Sequence, residues 1–230
     1  VSGDAMAHGA MSDDAMADDA MTGDAVTEDV LAEERLSGRT SEAQAARVER
    51  IIRAAIELAG QGGYEAVQMR EVARLAQVAL ATLYRYYPSK NQLLLAAVRY
   101  EIAKLDQDVS TRRPRGATPE VRAGEVFARA FQAMRNDPGY AHAALSVRQS
   151  PVPFGAHLTT RPPVDHDTTF VRIAAAAAWG ADHEVTAGQR LALQMVESLW
   201  IGCTIDWLNG RLTADAADER IRFAAQKLLT

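Results

Sequence analysis

Between Thr82 and Lys90 the chain sets Thr82, Tyr84, Arg85, Tyr86, Ser89 and Lys90 close together. These are hydroxyl donors and cations, and none of them pairs a nucleophile with a base. Their shared chemistry is anion binding. The Thr82 and Tyr84 hydroxyls can donate to phosphate oxygens, and Arg85 can reach a phosphate or the acceptors of guanine. Just ahead, Ala79 and Ala81 carry only methyl groups, which lets a helix backbone approach base edges closely. Ser89 and Lys90 open a new helix, whose free N–H groups and positive dipole end form an anion site, with Lys90 adding a point charge. Taken singly, each tyrosine suits a half-buried core and each cation a solvated surface. Together they form a phosphate clamp on both sides of a groove-reading helix.

Such a clamp needs rigid elements to hold it. Ser41 with Gln44 three residues on is a capping-box signal. Val48, Ile51, Ile52, Ala55 and Ala59 follow at helical spacing on one face. Gly62-Gly63 supplies the positive φ that ends such a helix. Met69, Val72, Ala73 and Ala76 predict a second helix over about 69–76. A third is predicted over about 80–86, with Leu80 and Leu83 turned inward and Pro88 stopping it. Ser89 with Gln92 predicts the cap of a long helix reaching about Asp106. Two short helices on a tight connection make a helix-turn-helix, in which the first braces the second against a major groove.

The overall net charge of −5 hides this basic segment. Residues 1–40 hold ten acids and two bases, residues 41–105 nine bases and six acids, and residues 106–230 fourteen of each. Residues 1–36 are of low complexity: Asp-Ala-Met recurs at 4–6, 14–16 and 19–21, and Met6, Met11, Met16 and Met21 fall every five residues. That period fits neither helix nor strand, so residues 1–40 read as a disordered acidic tail: a spacer, upstream sequence, or an arm that mimics DNA. The start lacks the basic and apolar regions of a secretory signal, no apolar run is long enough to span a membrane, and Cys203 stands alone. A cytoplasmic setting is expected.

The stretch "GGYEAVQMREVARLAQVALATLYRYYPSKNQLL" resembles the N-terminal DNA-binding domain of the TetR family of bacterial regulators, over about Arg47 to Leu105. "TLYRYYPSK" is its most specific part. The resemblance implies an all-α fold: a three-helix helix-turn-helix DNA-binding domain at 41–88 and a helical ligand-binding and dimerisation domain at 89–230. It implies that Gln68, Met69 and Arg70 lie near the DNA backbone. Ala79, Leu80, Ala81, Thr82 and Tyr84 would meet the groove, with Arg85 and Tyr86 beside them and Lys90 on a phosphate. Many members carry glycine where this chain has Ala81, so no base-by-base assignment carries over. "GGYEAVQMR", "TLYRYYPSK" and "WIGCTIDWLNGRLT" also resemble the KstR-type regulators of actinobacterial cholesterol catabolism.

Beyond the basic "RRPRG" break at 112–116, helices are predicted at about 119–135, 138–148, 165–179, 185–209 and 213–229. A four-proline loop spans 150–163. In the helix at 185–209, Leu191, Met195, Leu199 and Cys203 fall on one apolar stripe, and Val196, Trp200 and Trp207 broaden it. Ala217, Ile221, Ala224 and Leu228 form a stripe on the last helix. A helix apolar on two sides is buried on two sides. The family pattern then implies a homodimer through the last two helices and a double-stranded palindromic operator as partner. It also implies a small hydrophobic effector, a steroid or an acyl-CoA thioester in the narrower branch. Candidate lining residues are Phe127, Phe131, Met134, Leu145, Phe154, Phe170, Ile173, Met195, Leu199, Trp200 and Cys203, each of which also suits plain core. Arg148, Arg161 and Arg172 are candidate partners for an acid or phosphate.

Signals for other functions are weak. Cys203 sits on an apolar face, Asp165–Asp167 are adjacent rather than convergent, and His142, His157 and His183 lack metal-ligand spacing. No cofactor motif occurs. An enzyme, or a helical scaffold without DNA binding, is the alternative reading.

Overall fold

The computed structural model describes residues 22–148 and 168–230, with the backbone alone for 22–41. Nine helices run through the described residues: α1 (Thr22–Ala66), α2 (Met69–Leu75), α3 (Leu80–Tyr86), α4 (Lys90–Thr111), α5 (Pro119–Asn136), α6 (Pro138–Arg148), α7 (Thr169–Trp179), α8 (Ala187–Leu208) and α9 (Ala214–Leu228). The fold is all-α. Packing divides the chain into Val1–Ala46 and Arg47–Thr230, and both apolar cores lie in the second unit. Helical backbone already runs from Thr22, so Ser41 is not where α1 begins. The break at Gly62 and Gly63 falls where the sequence places it: the α1 span is non-helical there, with Gly63 at φ 68°. The predicted helix start at 165 and the acidic pair around His166 lie outside the described residues.

Local chemistry explains most helix ends. Ser89, Thr168 and Thr213 each accept a hydrogen bond from the backbone N–H three residues on. Thr186 and Gln189 cap α8 reciprocally, Gln189 N–H donating to Thr186 Oγ1 and Thr186 N–H to Gln189 Oε1. Asp137 Oδ1 accepts the Tyr140 N–H at 2.8 Å and so opens α6.

Two apolar cores follow. The first gathers Ile51, Ile52, Ala55 and Leu58 of α1, Val72 and Ala73 of α2, Leu83 of α3, and Leu93, Leu94 and Ala97 of α4. Tyr140, Ala143, Ala144 and Val147 close it from α6, at the i, i+3, i+4, i+7 spacing of one helix face. The second core joins α5, α7, α8 and α9 around Phe127, Phe131, Phe170, Leu193, Val196, Trp200 and Ile221. The α6 start is fitted tightly onto α1: a Cβ on Gly139 would stand 2.3 Å from the Gly60 carbonyl oxygen and 2.6 Å from that of Ala59. Only glycine allows this approach.

Candidate nucleic-acid interface and an interhelical cavity

The turn between α2 and α3 is closed by backbone hydrogen bonds, and Arg50 Nε donates to the Ala76 carbonyl at 3.4 Å. Val78 N–H donates to the Ala73 carbonyl at 3.0 Å and Gln77 N–H to that of Arg74 at 3.2 Å. This is the Schellman pattern, and it puts Gln77 in the left-handed region at φ 55°. Nothing in the sequence marks that turn, since glycine is the usual residue there.

Leu83 is fully buried and locks α3 onto the first core. Leu80, Tyr86 and Met69 lie half-buried against the same core. Gln68, Arg70, Ala79, Ala81, Tyr84 and Arg85 are exposed, Tyr84 by 45%, and Thr82 is intermediate. The outward face of α3 is therefore two methyl groups, two hydroxyls and a guanidinium, with no acid in its first turn. Its reach suits phosphates and base edges. Of the residues proposed for this face, Leu80 and Tyr86 are the ones that serve packing first.

Lys90 has a second occupation that its position in the sequence does not show. Its ammonium donates to the Tyr64 carbonyl at 3.0 Å, sits 3.7 Å from the Tyr64 ring centroid, and stands 4.0 Å from the Glu65 carboxylate. The Tyr64 hydroxyl donates to Asn91 Oδ1 at 2.6 Å. Lys90 thus satisfies a carbonyl near the end of α1 and ties α1 to α4. An ammonium has three donors, so a phosphate contact is compatible with this tie.

A cavity of about 290 Å³ opens among α1, α4, α5, α6, α7 and α8. Ile56, Val98, Ile102 and Leu105 supply apolar walls, joined by Met134, Leu145, Phe170 and Trp200 from the predicted set. Phe127, Phe131, Ile173 and Cys203 sit instead in the second core and do not line it. Phe127 stacks edge-on against Phe170, and Phe170 against Trp200, with ring centroids 4.8 and 5.3 Å apart. Burial pushes the Cys203 thiol pKa up, which suits an inert core residue. Phe154 and Arg161 lie outside the described residues.

Met195 and Leu199 depart furthest from expectation. They do not line this cavity; with Leu191 they form an exposed i, i+4, i+8 stripe on α8, Leu191 by 59% and Met195 by 49%. The inward stripe of α8 is Leu193, Val196, Trp200 and Cys203. Phe223 of α9 is exposed by 60%.

On the polar side of the cavity the sequence offers Arg148, which lines it, but not Glu197. Glu197 is buried on α8; it accepts from Arg148 Nη2 at 3.1 Å and from Thr168 Oγ1 at 3.0 Å. A lone glutamate within the broad apolar surface of α8 is the available signal. Arg172 is exposed and donates to Thr169 Oγ1. Among the described residues no group of histidine, cysteine and acidic side chains could hold a metal ion, and no helix is long and apolar enough to cross a membrane.

Comparison with known proteins agrees with this geometry. The family of bacterial regulatory proteins described as the tetR family matches residues 51–97, which hold α2, α3 and the start of α4. The chain is 33% identical over 194 residues to the HTH-type transcriptional repressor KstR of Mycolicibacterium smegmatis, covering 82% of this chain and 90% of that protein. It is 33% identical over 189 residues to KstR of Mycobacterium tuberculosis, covering 82% and 83%. The chain belongs to the TetR family. The crystal structure of a TetR transcriptional regulator from Rhodococcus sp. RHA1, 32% identical, superposes with a TM-score of 0.70 over 82% of this chain and 98% of that one. This TetR-family member is a DNA-binding transcriptional regulator of the repressor type and not an enzyme. The cavity's walls include Ile56 of α1 and five residues of α4.

Proposed function

We propose that the chain is a dimeric repressor that binds a palindromic operator and is released by a hydrophobic small molecule. The observation that carries this reading is the pairing of two unlike exposed faces: methyls, hydroxyls and a guanidinium on α3, and an apolar stripe on α8. The first fits a nucleic acid. The second fits another copy of itself, because a two-fold axis lets the same apolar patch cover its symmetry mate. Two reading helices about 34–36 Å apart, or a multiple of that, then match two half-sites. In this reading residues 41–88 form the DNA-binding domain, residues 89–230 the ligand and dimer domain, and residues 1–40 an acidic tail. Gln68, Arg70, Ala79, Ala81, Thr82, Tyr84, Arg85 and Lys90 meet the DNA, which sets the chain's work in the cytoplasm.

The effector enters the cavity behind α4. A steroid or an acyl-CoA derivative is the class favoured by the likeness to KstR and by the apolar walls. The FadR regulator of Bacillus subtilis, 20% identical to this chain with a TM-score of 0.53, was crystallised in complex with stearoyl-CoA. That fact belongs to FadR and makes a long acyl chain one candidate here. Val98, Ile102 and Leu105 of α4 line the cavity while Ser89 and Lys90 of the same helix border the reading module. An effector that prefers a shifted α4 therefore separates the reading helices. The test is operator affinity measured with and without saturating progesterone or stearoyl-CoA. A fall of tenfold or more with either supports the reading, and unchanged affinity with both contradicts release by this class.

A further inference from the structure

Gly202 stands in the interior of α8, where glycine is destabilising relative to alanine because it gives up more backbone freedom and adds no side chain to pack. Its own chain offers no reason for it. A Cβ built on Gly202 meets no atom within 4 Å, and its φ is not in the left-handed region. Gly139, in contrast, is explained by the α1 carbonyls pressed against it. Gly202 lies in the middle of the outward face of α8. It follows Leu191, Met195 and Leu199 by eleven, seven and three residues, the spacings of a single helix face. Leu193, Val196 and Trp200 occupy the opposite face, in the core.

That outward face also carries nothing that would resist being covered by its like. Its positions Gly188, Leu191, Met195, Ser198, Leu199 and Gly202 hold no charge. The Ser198 hydroxyl donates to the Gln194 carbonyl at 2.9 Å, so covering it strands no polar group. Asp206, one turn further on, is paired with Arg211 at 2.7 Å. Bulky side chains and a bare stretch of backbone therefore share one uncharged patch. Such a patch is complementary to itself, because a two-fold axis sets the bulk of one copy over the bare stretch of the other.

Taking this face as the dimer surface of the proposed repressor, we infer that Gly202 fixes where the two copies meet. Their α8 helices cross antiparallel with the two-fold axis between Leu199 and Gly202, and the partner's Leu199 fills the space over Gly202. An axis at that point sets Leu199 of each copy level with Gly202 of the other, so one residue pair is made twice. The side chains at a helix contact set the distance between the axes, about 8–10 Å, and glycine there gives the short end of that range. The notch also fixes the register of two apolar stripes that could otherwise slide along each other. The spacing of the two α3 helices follows from that register.

The experiment is sedimentation equilibrium of the full chain over a dilution series. Gly202→Ala should weaken the dimer about tenfold and Gly202→Leu about a hundredfold, since the added carbons enter space that the partner's side chain fills. Leu199→Ala should recover part of the loss in the Gly202→Leu chain, because the knob shrinks as the notch closes. In the Leu191→Asp monomer, Gly202→Ala should instead raise the urea midpoint of unfolding, because alanine favours the helix and its methyl group meets open space. This reversal, a firmer chain and a weaker pair, is what a role within the single chain would not produce. An unchanged dimer in Gly202→Leu, or no recovery with Leu199→Ala, overturns the inference. If Leu191→Asp dissociates the dimer and Gly202→Leu does not, the inference falls and the dimer reading stands. A wild-type chain that is monomeric throughout, or a dimer that survives both changes, overturns both.

Discussion

The exposed faces of α3 and α8 are built by the same rule and end in opposite chemistry. Each helix buries one face in its own core, Leu83 on α3 and Leu193, Val196 and Trp200 on α8. What α3 turns outward is small, hydroxylic and cationic; what α8 turns outward is Leu191, Met195 and Leu199. A large apolar stripe left to solvent marks an interaction surface, whereas a polar face is at home in water and waits for a charged partner. The contrast shows that partner type can be read from the outward face once the inward one is known. It also sets the salt response: the α3 contact should weaken steeply with ionic strength, and the α8 contact should not.

The largest effect is expected from breaking the apolar face. Leu191→Asp, carried twice in a symmetric dimer, should leave the chain monomeric in sedimentation and lower operator affinity more than a hundredfold; burial of each leucine is worth roughly 1.5–3 kcal/mol. A dimer that survives this change would place the interface elsewhere. Next is the contact of α6 with α1. Gly139→Ala drives a methyl into the Ala59 and Gly60 carbonyls, and chemical denaturation should register a loss of about 1–3 kcal/mol, the range for overpacking.

Breaking the polar face is gentler and cleaner. Arg85→Ala should lower operator affinity about tenfold, reduce the salt slope by about 0.9 for each lost phosphate contact, and leave the melting temperature where it was. Lys90→Ala sharpens the comparison, because its tie to Tyr64 makes it a structural residue too. It should cost about 1 kcal/mol of stability as well as affinity, so Arg85 is the better probe of DNA contact. The smallest effect is a gain. Gln77→Gly relieves the left-handed turn and should stabilise the protein by up to about 1 kcal/mol with DNA binding unchanged.

The helices themselves were legible. Gly62-Gly63, Pro88, Pro119 and the Ser89 cap are local signals, and they stand where the chain breaks or starts a helix. The reading module was legible for the same reason: α2 and α3 are short, and their burial follows a single stripe each. The α8 helix was not fully legible. Its apolar surface is broad, and periodicity does not say which part of it is inside. Met195 and Leu199 were therefore assigned to a pocket and lie on the surface. The cavity was hidden because it is assembled from six helices, and its polar groups depend on pairings far apart in the chain, such as Arg148 with Glu197. The tie from Lys90 to Tyr64, across 26 residues, was hidden likewise.

The most direct test of the whole account is selection of bound duplexes from a random DNA pool with the purified full chain, followed by footprinting of the recovered sequences. The account predicts an inverted repeat whose half-sites lie about one helical turn, or a multiple of it, apart. Recovery of a single unpaired half-site, or of no shared motif at all, would contradict a symmetric dimer reading DNA through α3.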